Sequence, residues 1–157
     1  MAATDSIQYR IAENIVTTLK LIKTTGGYKY TIPDANCLIS AAMPEWPTKG
    51  SPAALVDILD SQPVEDQGHT IVESYRYMIS FFNVHSGGEN PAINDDNKNA
   101  VADIVKALKV DVSRGGLAHY TEKGQSGPAV DMDTGAPYTF VEVLCLSTVN
   151  SANPYSI

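Results

Sequence analysis

The chain is poor in several things, and each scarcity excludes something. It has two cysteines, Cys37 and Cys145, far apart and each in an apolar context. Such a pair gives no disulfide framework and reads as two buried, reduced thiols. No apolar run approaches the roughly 20 residues needed to cross a bilayer. Basic residues are outnumbered, 11 Lys and Arg against 18 Asp and Glu, for a formal net charge of −7. That balance disfavours direct binding to DNA or to an anionic membrane, which needs a basic face. The opening residues Met1–Ser6 lack a basic region followed by an apolar core, so no secretory signal is read there and a cytoplasmic product is expected.

Motifs of catalysis are missing as well. There is no Gly-x-Gly-x-x-Gly or Walker-type string. There is no Gly-x-Ser-x-Gly nucleophile elbow. His69, His85 and His119 lie in or beside predicted turns, and His85 and Glu89 are separated by Gly87-Gly88, which no helix would carry through. Asp131 and Asp133 stand two apart on an extended segment and could both face a metal, although acids beside glycine are usually turn formers. No cofactor is implied.

What is present suits one domain spanning residues 1–157, with 43% hydrophobic and 18% charged residues. Ile7, Ile11, Ile15, Leu19 and Ile22 recur at helical spacing and predict a helix from about Ser6 to Lys23. Thr4, Asp5 and Ser6 offer capping oxygens, with Asp5 and Gln8 in capping-box spacing, and Gly26-Gly27 is the stop. Strands are expected at Tyr28–Ile32, Ala35–Ala42, Ala53–Leu59 and Thr70–Val84, with Ser61–Gly68 an acidic turn and Met43–Pro52 a loop. Asn90-Pro91 opens a second helix, whose stripe is Ile93, Asn97, Ala100, Val101, Ile104 and Leu108. Thr121–Pro137 is polar and glycine-rich, an extended hairpin or mobile loop, and Tyr138–Val149 is a long alternating strand. Consecutive strands favour hairpins. The expected fold is therefore α+β, an antiparallel or mixed sheet with both helices packed on one face.

Charge is uneven along the chain. From Tyr30 to Tyr75 the acids are Asp34, Glu45, Asp57, Asp60, Glu65, Asp66 and Glu73, against Lys49 alone. A solvated face that aids solubility is the plain reading. A surface that repels a passing polyanion is the sharper one.

Four stretches, taken in order, resemble the tail terminator (tail completion) proteins of long-tailed bacteriophages. They are Ile7–Ile15 followed by Gly26-Gly27-Tyr28-Lys29-Tyr30, Pro52–Ile58, Ala107-Leu108 through Asp111 to Gly115-Gly116-Leu117-Ala118, and the last strand closing on Asn153-Pro154-Tyr155. The proline-rich loop around Trp46 and the stretch Thr121–Pro137 depart from the family. The resemblance implies a structural virion protein that transforms no molecule. It would form a ring, typically a homohexamer, that caps the tail tube, stops its polymerisation and meets the head-tail connector or stopper. Genome DNA would pass through the hole without specific binding, and the protein would reside in the virion neck after assembly in the host cytoplasm.

On that reading Asp57, Asp60, Glu65 and Asp66 are candidates to line the hole and repel DNA. Exposed loops nominate Glu45, Trp46 and Pro47, with Gln125, Asp131 and Asp133, as contacts with neighbouring subunits or tube. Tyr155 is expected to tuck against the sheet. The alternatives are another connector or stopper subunit of the neck, or a small cytoplasmic enzyme with a site built from His119, Asp131 and Asp133.

Overall fold

A computed structural model describes residues 5–39, 52–82, 93–130, 132, 137–153 and 155, with the side chains of 93–97 excepted. Helix α1 (Ile7–Leu19) is followed by the short strand β1 (Cys37–Ile39), the long hairpin β2 (Ala53–Asp66) and β3 (Thr70–Phe82), helix α2 (Ile93–Leu108), and a second hairpin of β4 (Tyr120–Val130) and β5 (Pro137–Asn150). The sheet order is β1-β2-β3-β5-β4. It is mixed, because β1 runs parallel to β2 while all other pairs are antiparallel.

Helix α1 forms as its stripe predicts. Ile7, Ile11, Ile15 and Leu19 are buried, and Ile22 joins them from the turn beyond. Of the three possible caps, Ser6 is the one used: its Oγ accepts from Tyr9 N at 3.3 Å. The Asp5–Gln8 box does not form, because Gln8 Nε2 donates to Asp60 O instead. The helix also ends at Leu19 rather than running to Lys23. Thr17 and Thr18 bond back to the carbonyls of Glu13 and Asn14, and the chain tightens with Leu21 N on Thr18 O and Ile22 N on Leu19 O. Lys20 and Lys23 therefore lie beyond the last turn.

Beneath the helices the sheet presents one closed face. The register aligns Val56 with Ile79 and Val141, and Tyr75 with Cys145, and these pack with Ala100, Ile104 and Ala107 of α2 in the core. β5 alternates with full regularity, each second residue from Thr139 to Val149 buried. That is the pattern of a strand with one covered face. Both cysteines are free and buried, as expected.

Two expected elements come out differently, and one open choice is decided. Tyr28–Ile32 is not a strand: the Asp103 carboxylate of α2 takes the backbone N–H groups of Lys29 and Tyr30 at 3.0 and 2.9 Å, replacing a strand partner. The acidic turn Ser61–Gly68 shrinks, since β2 runs through to Asp66 and only Gln67–His69 turn, with Gly68 at φ 82°. For Thr121–Pro137 the extended hairpin holds and the loop does not: Thr121–Val130 lies in edge strand β4, paired along β5 with one irregularity between Lys123 and Ser126. Of the expected strand Ala35–Ala42, Cys37–Ile39 is seen, after a short 3-10 turn at Asp34–Asn36. Residues 40–42, the loop around Trp46 and the Asn90-Pro91 helix start lie outside the described residues.

Candidate functional site

The face of the sheet away from the helices is the first surface with functional content. Side chains alternate on a strand, so residues directly opposite share a face. One row across the sheet is Asp57, Met78 and Glu142, and the next places Arg76 beside Leu144 and Glu122. Asp60 reaches into this row, its Oδ1 accepting from Arg76 Nε at 2.7 Å. Glu65 stands opposite Val72 further along. Among the described residues, five carboxylates thus share this face with one guanidinium, around a half-buried apolar strip of Phe140, Leu144 and Leu146. Among the described residues no helix covers it.

The four acids singled out from the sequence do not all lie together. Asp57, Asp60 and Glu65 are on the open face. Asp66 stands opposite Ile71 on the helix side, and its Oδ1 accepts from Gly68 N at 2.8 Å, closing the hairpin turn. Glu122 and Glu142 complete the acidic face, and sequence reading missed them because they belong to strands more than fifty residues downstream. Alternation in β5 places Glu142 opposite the buried Val141 and Val143, which was the available signal.

Gln125 is exposed on the edge strand β4 rather than in a loop. Glu45, Trp46, Pro47, Asp131 and Asp133 lie outside the described residues. His119, the remaining member of the candidate enzymatic trio, is exposed, and its Nε2 meets Thr148 Oγ1 at 2.5 Å. Tyr155 is 49% exposed and does not tuck against the sheet, a correction to its expected place. Asn153 N bonds back to Asn150 O, which turns the chain away from the end of β5.

A second constellation sits where the two helices end. Arg114 is fully buried. Its Nη2 donates to Leu108 O at 2.6 Å, in the last turn of α2, and its Nη1 to Thr18 Oγ1 at 3.0 Å, in the last turn of α1. Helix α2 thus turns its negative C-terminal end toward the cation, and α1 meets it through a hydroxyl of its own last turn. Burial pulls the Arg114 pKa down, opposed by the nearby Cys145 and Asp111. The turn that delivers it is shaped by Asp111, whose carboxylate accepts from Ser113 N, Ser113 Oγ and Gly115 N. The bonds from Ser113 and Gly115 hold the Asp111 carboxyl below its ordinary range. Arg114, Gly115 and Gly116 all take positive φ, at 50°, 70° and 84°, so the two glycines serve where a side chain would be strained. This centre fixes the fold.

Other perturbed groups mark packing. Burial raises the Cys37 thiol to about 11 and the Tyr75 hydroxyl to about 12. Asp34 is held low by its hydrogen bond and ion pair with Lys23, at 2.9 Å. No cluster of metal-ligating side chains occurs among the described residues. No helix among them is long and apolar enough to cross a membrane.

The class that fold and surfaces define is a two-layer α+β module with one helix-covered sheet face and one acidic face. No protein-family model matches the chain, and no curated protein matches it.

Proposed function

We propose that this protein is a structural subunit of a bacteriophage tail, a terminator that closes into a homo-oligomeric ring on the end of the tail tube. In this reading it stops tube growth, presents a docking surface to the head-side connector or stopper, and becomes part of the virion neck after assembly in the host cytoplasm. The family resemblance of its four ordered segments motivates the assignment. The observation that carries it is the open sheet face, where Asp57, Asp60, Glu65, Glu122 and Glu142 outnumber Arg76.

A DNA conduit needs a wall that does not adhere. A carboxylate surface repels phosphate, and a ring repeats that surface around the hole, so the potentials add where the wall is closest to the duplex. Salt limits the reach to about 8–10 Å, which suffices in a narrow channel. The lumen candidates from the sequence are accordingly Asp57, Asp60 and Glu65, with Glu122 and Glu142 added and Asp66 left to the hairpin turn. The function needs no cofactor. Its partners are copies of itself, the tube protein and the connector.

Native mass measurement and negative-stain imaging of the purified protein, alone and with tube protein, test this. A closed ring, seated on tube ends and limiting tube length, is the expected result. A particle that stays monomeric even beside tube protein, or a ring with the acidic sheet face on its outer rim, overturns it.

A further inference from the structure

If the acidic sheet face looks into a hole and the helices look outward, the two long edges of each subunit must meet those of its neighbours. This inference rests on the ring proposed above and goes further, because the two edges differ in charge. One edge is the far half of β2. Its exposed residues include Leu59, Val64, Glu65 and Asp66, with Val64 at 60% exposure. Beyond Val56 no described strand pairs with its outer side.

The opposite edge is β4 with α2 packed behind it. There Lys109 and Lys123 line one small cleft together with Val105, Leu108, Thr121 and Glu122. Val110 (63%), Val112 and Tyr120 are exposed close by in the chain. Glu122 borders the same cleft from the open-face side of the strand, so two lysines stand against one carboxylate there, and Asp111 is engaged in its own turn. One edge therefore offers acids around exposed aliphatic side chains, and the other offers lysines around exposed aliphatic and aromatic ones.

We infer that subunits join head to tail, the β2 edge of one copy against the β4/α2 edge of the next. The pairing is heterologous, as ring closure requires. The aliphatic groups Leu59 and Val64 on one side and Val110 and Val112 on the other supply apolar burial. Glu65, at the border between the open face and this edge, and Asp66, whose carboxylate keeps its charge while it closes the hairpin turn, set partner and register against Lys109 and Lys123, as complementary charge does at interfaces.

The test is a charge exchange. Glu65→Lys is combined with Asp66→Asn, which keeps a side-chain oxygen for the Gly68 turn. Lys109→Glu is combined with Lys123→Glu. Each pair alone makes the two edges alike in charge, and each variant is expected to lose the ring species in native mass spectra while keeping the circular dichroism of the folded protein. Placing all four substitutions in one chain is expected to restore the ring, and so is mixing the two variants, which alternate around an even-numbered ring. Wild-type rings should also open as salt rises.

Rings that survive either pair unchanged, or that no combination restores, overturn the edge pairing and leave the tail-terminator reading standing. A wild-type protein that never oligomerises overturns both.

Discussion

Arg114 Nη2 and the Leu108 carbonyl meet at 2.6 Å in the interior of the protein. This bond makes the turn after α2 a clamp on the ends of both helices. A buried guanidinium that loses its side chain leaves Leu108 O and Thr18 Oγ1 without their donor in a site closed to water. Arg114→Ala is expected to cost about 3 kcal/mol or more, from lost charge-assisted bonds and an unfilled cavity. Arg114→Lys recovers only part, since an ammonium cannot span both acceptors with the same fork. Urea denaturation of the three proteins measures the difference, with an unchanged midpoint for Arg114→Ala counting against the clamp.

Asp103 stitches α2 to the segment that follows α1. Removing its carboxylate frees two backbone donors that are 74 and 73 residues away in the chain. Asp103→Ala is expected to lower stability by about 2–3 kcal/mol. Lys29 and Tyr30 amides should lose protection in hydrogen exchange before the core strands do. Unchanged protection at those two amides would show that the bonds carry no weight.

The 111–118 turn responds to acid with a definite sign. Asp111 has a folded pKa below the ordinary 3.8. The unfolded chain therefore binds the proton more readily, and stability rises with pH across that interval. The contribution is present above the ordinary carboxyl value and is lost as pH falls through the lower, folded one. Acid titration followed by the Gly115 amide resonance is expected to show a transition below pH 3.8 in the wild type and none in Asp111→Asn. The effect is modest because the carboxylate is close to solvent.

Cys37 offers a chemical check on packing. Its thiol is raised to about 11 by burial at the start of β1. A thiol reagent at pH 8 is expected to leave both Cys37 and Cys145 unmodified in the folded protein and to count two thiols after denaturation. Rapid native labelling at Cys37 would mean that β1 detaches from β2.

Gly116 isolates backbone strain from crowding. At φ 84° a Cβ would meet nothing within 4 Å. Gly116→Ala is therefore expected to cost about 1–2 kcal/mol through the left-handed conformation alone. Gly116→Asn should cost less, a ranking that thermal unfolding can check.

What could be read from the chain follows from which elements bury a face. α1, β3 and β5 were legible because Ile7 to Leu19, Ile71 to Tyr77 and Tyr138 to Val149 show the helical or alternating period that one covered face imposes. The far half of β2 was not, and β4 was legible only as a choice between an extended hairpin and a loop, because edge segments such as Ser61–Asp66 and Gly124–Pro128 touch solvent widely and carry turn-forming residues. Arg114 and Asp103 could not be recognised as buried, since their partners Thr18 and Lys29 lie 96 and 74 residues away. The acidic surface was half visible: Asp57, Asp60 and Glu65 are near neighbours in sequence, whereas Glu122 and Glu142 join them only through the sheet.

The position of β5 governs how the chain must be built. It sits inside the sheet between β3 and β4, although both are made before it. While a ribosome is still producing residues 137–150, β3 waits with one full ladder of donors and acceptors empty, and β4 has no strand to join. Such a nascent chain exposes a template for unwanted pairing, and the two halves cannot consolidate until this stretch emerges. Synthesis and completion of the core therefore coincide late, and damage to this segment would split the sheet where trimming a border strand would only narrow it.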